Sequence, residues 1–423
     1  MTRPPSPSRR GLLFAAGTAL AGAGLSARAA HAGGVAQPAA PAEDSGLEPF
    51  WGAHQGGILT PQQVHTYFAA LDVSAERRAD VEKLLRIWTE TAARLTSGAG
   101  SEGGRVETGD DIGETFGLPP ARLTITFGVG ATLFEKDGKD RFGLAARRPE
   151  ALVDLPRFNG DQMVPEHTGG DLSIQACAED PQVAFDAVRQ LARAAYGAAE
   201  IRWVQSGFMP RPVGGATARN LMGFKDGTNN PSPADAGLMD QVVWVGEEGP
   251  AWMRGGSYMV ARRIRIALEH WDRMQIAFQE QAMGRKKVSG APLGKEKETD
   301  PVDLDAADAD GNPVIPENAH VRLAAPAAND GARMLRRGYS YNDGVNLTAE
   351  RWPPWRQGME YDAGLLFICY QRDPRTGFME VFDTMSKIDM LNQFTTHVGG
   401  GLFACPPGAQ PGGFVGERLF AEA

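Results

Sequence analysis

The 423-residue chain carries 43 basic against 52 acidic side chains, a formal net charge of −9, with 42% hydrophobic residues. That balance is ordinary for a globular protein long enough to fill two cores, and it leaves no basic footprint for nucleic acid. Cys177, Cys369 and Cys405 are far apart and form no CxxC or Cys/His ligand spacing, which excludes a structural zinc site and a disulfide framework.

The first 32 residues predict a cleaved leader. Arg3, Arg9 and Arg10 make a basic start, residues 11–25 an apolar run, and Ala30-His31-Ala32 a small-residue cleavage site. The run is too short and too rich in Gly and Ala to span a bilayer comfortably, so no stable membrane span is expected. Arg9-Arg10 followed by Leu12 and Leu13 resembles a twin-arginine export signal. Export by that route predicts a periplasmic or extracellular protein, and cargo that folds around a cofactor before it leaves. Residues 33–46, rich in Ala, Pro and Gly, read as a flexible linker.

Folded sequence is expected from about residue 47. "AERRADVEKLLRIWTETAARL" sets Val81, Leu84, Leu85 and Trp88 on one helical face. Strands are predicted at 122–130 and 170–179. Asp180-Pro181 then opens a helix, with Asp as cap and Pro in the first turn, and "IRWVQSG" forms another strand. The second half repeats this order: a strand over 255–268, a helix over 271–283, a strand over 364–371, a helix over 378–391 and a last strand at "GLFA". The pattern predicts two α+β units, each with helices covering a mainly antiparallel sheet. Two stretches stay irregular: the acid-rich run leading to His320, and "YNDGVNLTAERWPPWRQGMEYDAG".

The chemistry is narrowed by what is missing. His54, His65, His167, His270, His320 and His397 show no i, i+4, HxH or HExxH spacing, and there is no GxSxG elbow. A single histidine can still hold a metal whose other ligands come from a macrocycle, as in haem. His320, in "ENAHVRLAAP", stands where a polar loop becomes apolar, and "MLRRGYSY" places Arg336 and Arg337 among residues that favour burial. A buried Arg needs an anion or a ligand. "LMGFKDGTNNP" raises a matching question, because Met222 and Phe224 favour burial beside the turn-like Asp226 and its glycines.

Together these segments resemble the dye-decolourising peroxidases, and among them the exported bacterial subgroup associated with iron uptake. The resemblance runs in order through "FWGAHQGGILTPQQ", "GGDLSIQACAED", "GFKDGTNNP", "GGSYMVARRIRI", "ENAHVRLA", "LRRGYSY", "GLLFICYQRD" and "FTTHVGGGLFACPPG". It implies two ferredoxin-like α+β domains, at 47–225 and 226–423, in a barrel-like arrangement that often dimerises. It also implies one haem b per chain, hydrogen peroxide and organic electron donors as reactants, and a link to iron-uptake components.

Position by position, the resemblance makes His320 the proximal haem ligand, Asp226 the distal aspartate and Arg336 the distal arginine. Phe367 and Leu365 match residues lining the distal side. Asp389 matches an acid that bonds the second nitrogen of the proximal histidine, and Arg263 is expected as a propionate partner. Tyr339, Tyr341, Trp352 and Trp355 are the aromatic candidates for carrying electrons from large donors. The alternative function is haem handling, including iron release from haem, as a periplasmic deferrochelatase; a non-catalytic carrier would not need both Asp226 and Arg336.

Overall fold

A computed structural model describes residues 46–99, 113–211, 214, 216–349 and 357–421. The expected leader at 1–32, the expected linker up to residue 45, and Trp352 and Trp355 lie outside the described residues. The first half runs β1 (His65–Val73), α1 (Arg78–Thr96), β2 (Thr124–Gly130), β3 (Leu172–Ala178), α2 (Pro181–Ala194) and β4 (Ala199–Phe208). Its strands lie in the order β2-β3-β1-β4, all neighbours antiparallel. Both helices form for the reasons their sequences suggest. Val81, Leu84, Leu85 and Trp88 of α1 are buried, and the Asp180 side chain accepts from the Gln182 and Val183 amides ahead of α2. The Trp88 indole donates to the Leu191 carbonyl at 2.8 Å, which ties the two helices together over the sheet.

The second half repeats the scheme with longer insertions: β5 (Ser257–Ile266), α3 (Ile276–Met283), β6 (Leu335–Arg336), β7 (Tyr339–Ala349), β8 (Gln357–Gln371), α4 (Phe378–Ile388) and β9 (Thr395–Cys405). Its main strands take the order β7-β8-β5-β9, the same ferredoxin-like order as the first half. The two half-sheets join at both edges. β4 meets β7 at Phe208–Ser340, and β2 meets β9 at Val129–Ala404 and Gly130–Phe403. The result is one closed, barrel-like antiparallel sheet with helices outside it.

One element was not anticipated and two expectations need adjusting. β1, "HTYFAALDV", has buried residues on both faces, so no period-2 pattern marks it. The described parts of the segment expected to be irregular from Tyr341 are instead in β7 and the start of β8. Its polar "YNDG" is accommodated by a register shift between Asn342 and Val345. The helix expected over 271–283 is interrupted, with Leu268–Trp271 separate from α3. No helix among the described residues is long and apolar enough to cross a membrane.

The β5–β8 pairing carries the wall of the cleft described below, and Gly364 keeps it tight. A Cβ at Gly364 would stand 1.9 Å from the Ile264 carbonyl oxygen, whereas one at Gly358, on the same strand, would meet nothing within 4 Å. Gly364→Ala is therefore expected to cost about 1–3 kcal/mol in urea unfolding, with Gly358→Ala close to wild type.

Candidate functional site

Side chains on a strand alternate between faces, and directly paired residues of neighbouring strands share a face. Arg336 pairs with Cys369, Phe367 with Arg262, and Leu365 with Ile264. Arg336, Phe367 and Leu365 therefore lie on one face, the outer one. Phe367 is half-buried against the core and lies beside Phe378 of α4, the rings tilted with centroids 5.8 Å apart. Leu365 packs against the cluster of Met222, Phe224, Trp271 and Phe394.

That cluster settles whether the Gly-rich segment is an ordinary surface turn. Met222 and Phe224 are 4% and 3% exposed, and the Trp271 indole donates to the Met222 carbonyl at 3.1 Å. Gly223 and Gly227 both have positive φ, +82° and +117°, and bend the chain on either side of Asp226. The Asp226 amide donates to the Ala218 carbonyl at 2.9 Å. Its carboxylate then meets Arg336 Nη1 at 3.4 Å, and both side chains keep about a third of their surface accessible, 35% and 33%.

His320 begins a single helical turn, His320–Leu323, at the end of the acid-rich loop. Its Nδ1 donates to Asp389 Oδ2 at 2.7 Å. Asp389 is 5% exposed, ends α4, and uses its other oxygen to accept from the Leu391 amide at 2.8 Å. The His320 side chain keeps 35% of its surface accessible, so its ring opens onto a cleft. Burial works against a charged ring, but the charge and hydrogen bond of Asp389 outweigh it, and the pKa is raised. Arg336, which lowers it, and Asp226, which raises it, are also felt at the ring. The three groups share one electrostatic environment.

The structure thus brings together His320, Asp389, Asp226, Arg336, Phe367 and Leu365. Arg263 is not among them, which corrects the expected propionate contact. It sits one residue out of phase with Arg262 and points into the barrel. There its guanidinium is committed to Asp343 and Asp362, each at 2.9 Å, and to Gln205 at 2.6 Å. Tyr339 and Tyr341 also face the barrel interior and are 1% and 0% exposed, so neither can meet a large donor at the surface. Two neighbours of the site were not singled out in the sequence. Asn230 exchanges hydrogen bonds with the Arg336 backbone, and Glu298 holds Lys225 and Thr228 on either side of Asp226. Glu298 lies in the acid-rich loop, where nothing local distinguishes it from Glu296 or Asp300.

The donor set fits haem. No group of three or more His, Cys, Asp or Glu among the described residues could hold a bare metal ion. His320 Nε2 has no hydrogen-bond partner among them and is left as one open donor, facing a cleft that is apolar at Leu365 and Phe367 and charged at Asp226 and Arg336. A single imidazole opposite an acid–arginine pair is the arrangement of a haem protein with one protein axial ligand and a reactive second face.

Comparison with known proteins gives the family. Residues 55–209 match the profile described as Dyp-type peroxidase, N-terminal, and residues 217–410 that described as Dyp-type peroxidase, C-terminal. The chain belongs to the Dyp-type peroxidases, which are haem-binding peroxidases. It is 41% identical to a dye-decolorizing peroxidase of Thermobifida fusca (strain YX), over 97% of each chain. It is 38% identical to the deferrochelatase of Escherichia coli (strain K12), over 96% of this chain and 94% of that one. The crystal structure of a DyP-type peroxidase from Streptomyces coelicolor superposes with a TM-score of 0.79 at 41% identity, covering 91% of this chain and all of that one.

The Asp389–His320 pair makes a prediction for the haem-free protein. A raised folded pKa stabilises the fold fully below the unfolded value of about 6.5 and loses that contribution as pH rises through the folded value. NMR titration should place the His320 midpoint above 6.5, and Asp389→Asn should lower it and flatten the pH dependence of unfolding in that window.

Proposed function

We propose that His320 is the axial ligand of the haem iron and that Asp226 and Arg336 handle hydrogen peroxide on the opposite side. One observation carries this reading: the accessible His320 ring and the accessible Asp226–Arg336 pair are within electrostatic reach of one another. Bound haem b, one per chain, would supply the iron at which peroxide is cleaved and would hold the two oxidising equivalents taken from peroxide until dyes, phenols or other organic donors return two electrons.

The protein's own groups divide the remaining work. Asp389 keeps the proton on His320 Nδ1, which fixes the tautomer and turns the Nε2 lone pair toward the cleft. Asp226 takes the proton from the nearer peroxide oxygen and delivers it to the farther one, which leaves as water. Arg336 steadies the negative charge that builds on the leaving oxygen. Leu365 and Phe367 keep the adjoining wall dry, which strengthens both electrostatic contributions. The leader at 1–32 supports export by the twin-arginine route with haem already bound.

A second reading, iron release from haem within an iron-uptake system, is favoured by the likeness to the deferrochelatase of Escherichia coli. Anaerobic incubation with haem and no peroxide separates the two, since metal-free porphyrin appears only under the second. For the first, the haem-loaded protein is mixed with one equivalent of hydrogen peroxide. The Soret band should shift promptly and recover on addition of a reducing dye; a band that does not respond rejects the peroxidase assignment of the cleft. His320→Ala should remove the five-coordinate spectrum. In stopped-flow mixing, Arg336→Leu should slow the peroxide step about 100-fold, at least as much as Asp226→Asn. An Arg336→Leu rate near wild type would sink the role given to that residue.

A further inference from the structure

Arg336 belongs to β6, a strand of two residues that, among the described residues, pairs on one side only, with β8. Its other edge is filled by a side chain. The Arg336 amide donates to Asn230 Oδ1 at 2.8 Å, and Asn230 Nδ2 donates to the Arg336 carbonyl at 2.9 Å. The carboxamide thus offers one acceptor and one donor to a single residue, as a neighbouring strand would. Asn230 is also part of the turn that carries Asp226, since its own amide donates to the Gly227 carbonyl at 2.9 Å. Four residues therefore link the Asp226 carboxylate to a two-point clamp on the backbone of Arg336.

The far end of the turn is braced separately. The Glu298 carboxylate accepts from Thr217, from Thr228 at 2.9 Å and from Lys225, and so grips the chain on both sides of Asp226. Between these two braces, the direct Asp226–Arg336 contact is a single 3.4 Å approach between partly accessible side chains. An ion pair of that kind contributes little on its own and does not hold a geometry.

We propose that Asn230 is a positioning residue for the peroxide reaction: its paired hydrogen bonds to the Arg336 backbone set the Asp226–Arg336 separation. The inference rests on the reading of that pair as the peroxide-handling groups. Replacing Asn230 leaves Asp226, Arg336 and His320 in the chain but frees the edge of β6. The acid and the arginine then lose their common reference, and a misplacement on the order of 1 Å at such a pair can lower a rate about 100-fold.

The test uses haem-loaded protein with Asn230→Ala alone and combined with Asp226→Asn or Arg336→Leu. The stopped-flow rate with hydrogen peroxide is measured together with fluoride affinity by absorbance, haem content and melting temperature. Asn230→Ala should slow the peroxide step about 10-fold or more and weaken fluoride binding, yet change the rate by no more than about 2-fold when Asp226→Asn is already present. An equal loss in every background, or a wild-type rate with wild-type fluoride affinity, overturns the proposal. If Asn230→Ala does not load haem, Asn230→Asp replaces it; this variant keeps the size and the acceptor but cannot donate to the Arg336 carbonyl, and the same cycle applies. Single Asp226→Asn and Arg336→Leu variants with unchanged rates would remove the peroxide-handling reading, and this inference with it. Impaired single variants beside a normal Asn230→Ala would overturn this inference alone.

Discussion

Closure of the sheet is the constraint on which the rest of this structure depends. Two ferredoxin-like halves meet at two antiparallel seams, and the closed sheet has an inside and an outside instead of two exchangeable faces. A residue's position along a strand then decides which chemistry it can take part in. Arg336 and Arg337 are chain neighbours with opposite fates. Arg336 faces the cleft and Asp226. Arg337 enters the barrel, 4% exposed, bound by the Thr60 carbonyl and the Gln63 side chain. Arg262 and Arg263 repeat the pattern. Arg262 is held by Asp161 through two 2.7 Å bonds on the outer face, and Arg263 by Asp343 and Asp362 within the barrel.

This explains which parts of the molecule were legible in the sequence. The helices were readable because α1 and α2 carry their own instructions, an apolar stripe in one and an Asp-Pro start in the other. The half-by-half repetition was readable because element order survives where sequence similarity between the halves does not. That His320, Asp226, Arg336 and Asp389 belong to one site was legible only through resemblance, since no spacing in the chain says that residues 226, 320, 336 and 389 meet. β1 was hidden by burial on both faces, and β7 by the polar "YNDG" that the register shift absorbs. Arg263 was misjudged for a sharper reason. In "ARRIR" the two arginines are indistinguishable, and a one-residue change of phase moves a side chain through the sheet. Only the pairing of Arg262 with Phe367 decides between them.

Asn230 and Glu298 were overlooked for the opposite reason. Both were visible, one in a turn and one in an acidic loop, and both have ordinary local explanations. Their importance comes from partners 106 and 73 residues away along the chain. The loop that supplies Glu298 also delivers His320, so a segment that looks like polar filler contributes to both sides of the cleft. The hydrogen bonds to Glu298 from Lys225, Thr217 and Thr228 overcome the penalty of its burial and hold its pKa below the usual range. The brace therefore keeps its charge to lower pH than an ordinary glutamate.

The two acid–base pairs of the cleft are built to different tolerances, and the difference matches the tasks proposed for them. His320 and Asp389 meet at 2.7 Å, and Asp389 is buried, with its second oxygen fixed by a backbone amide. An axial ligand must not move, because its orientation sets the position of everything it binds. Asp226 and Arg336 meet at 3.4 Å, and both remain accessible. An acid that collects and returns a proton needs room to turn, and an arginine that answers a developing charge must not already be saturated by its neighbour. Tightening their direct contact would spend the very groups the reaction needs. The looseness is therefore confined to the side chains, while their backbones are held by the Asn230 clamp on one side and the Glu298 brace on the other. Rigidity placed in the backbone, away from the reacting atoms, keeps the pair in register and leaves both groups free to react.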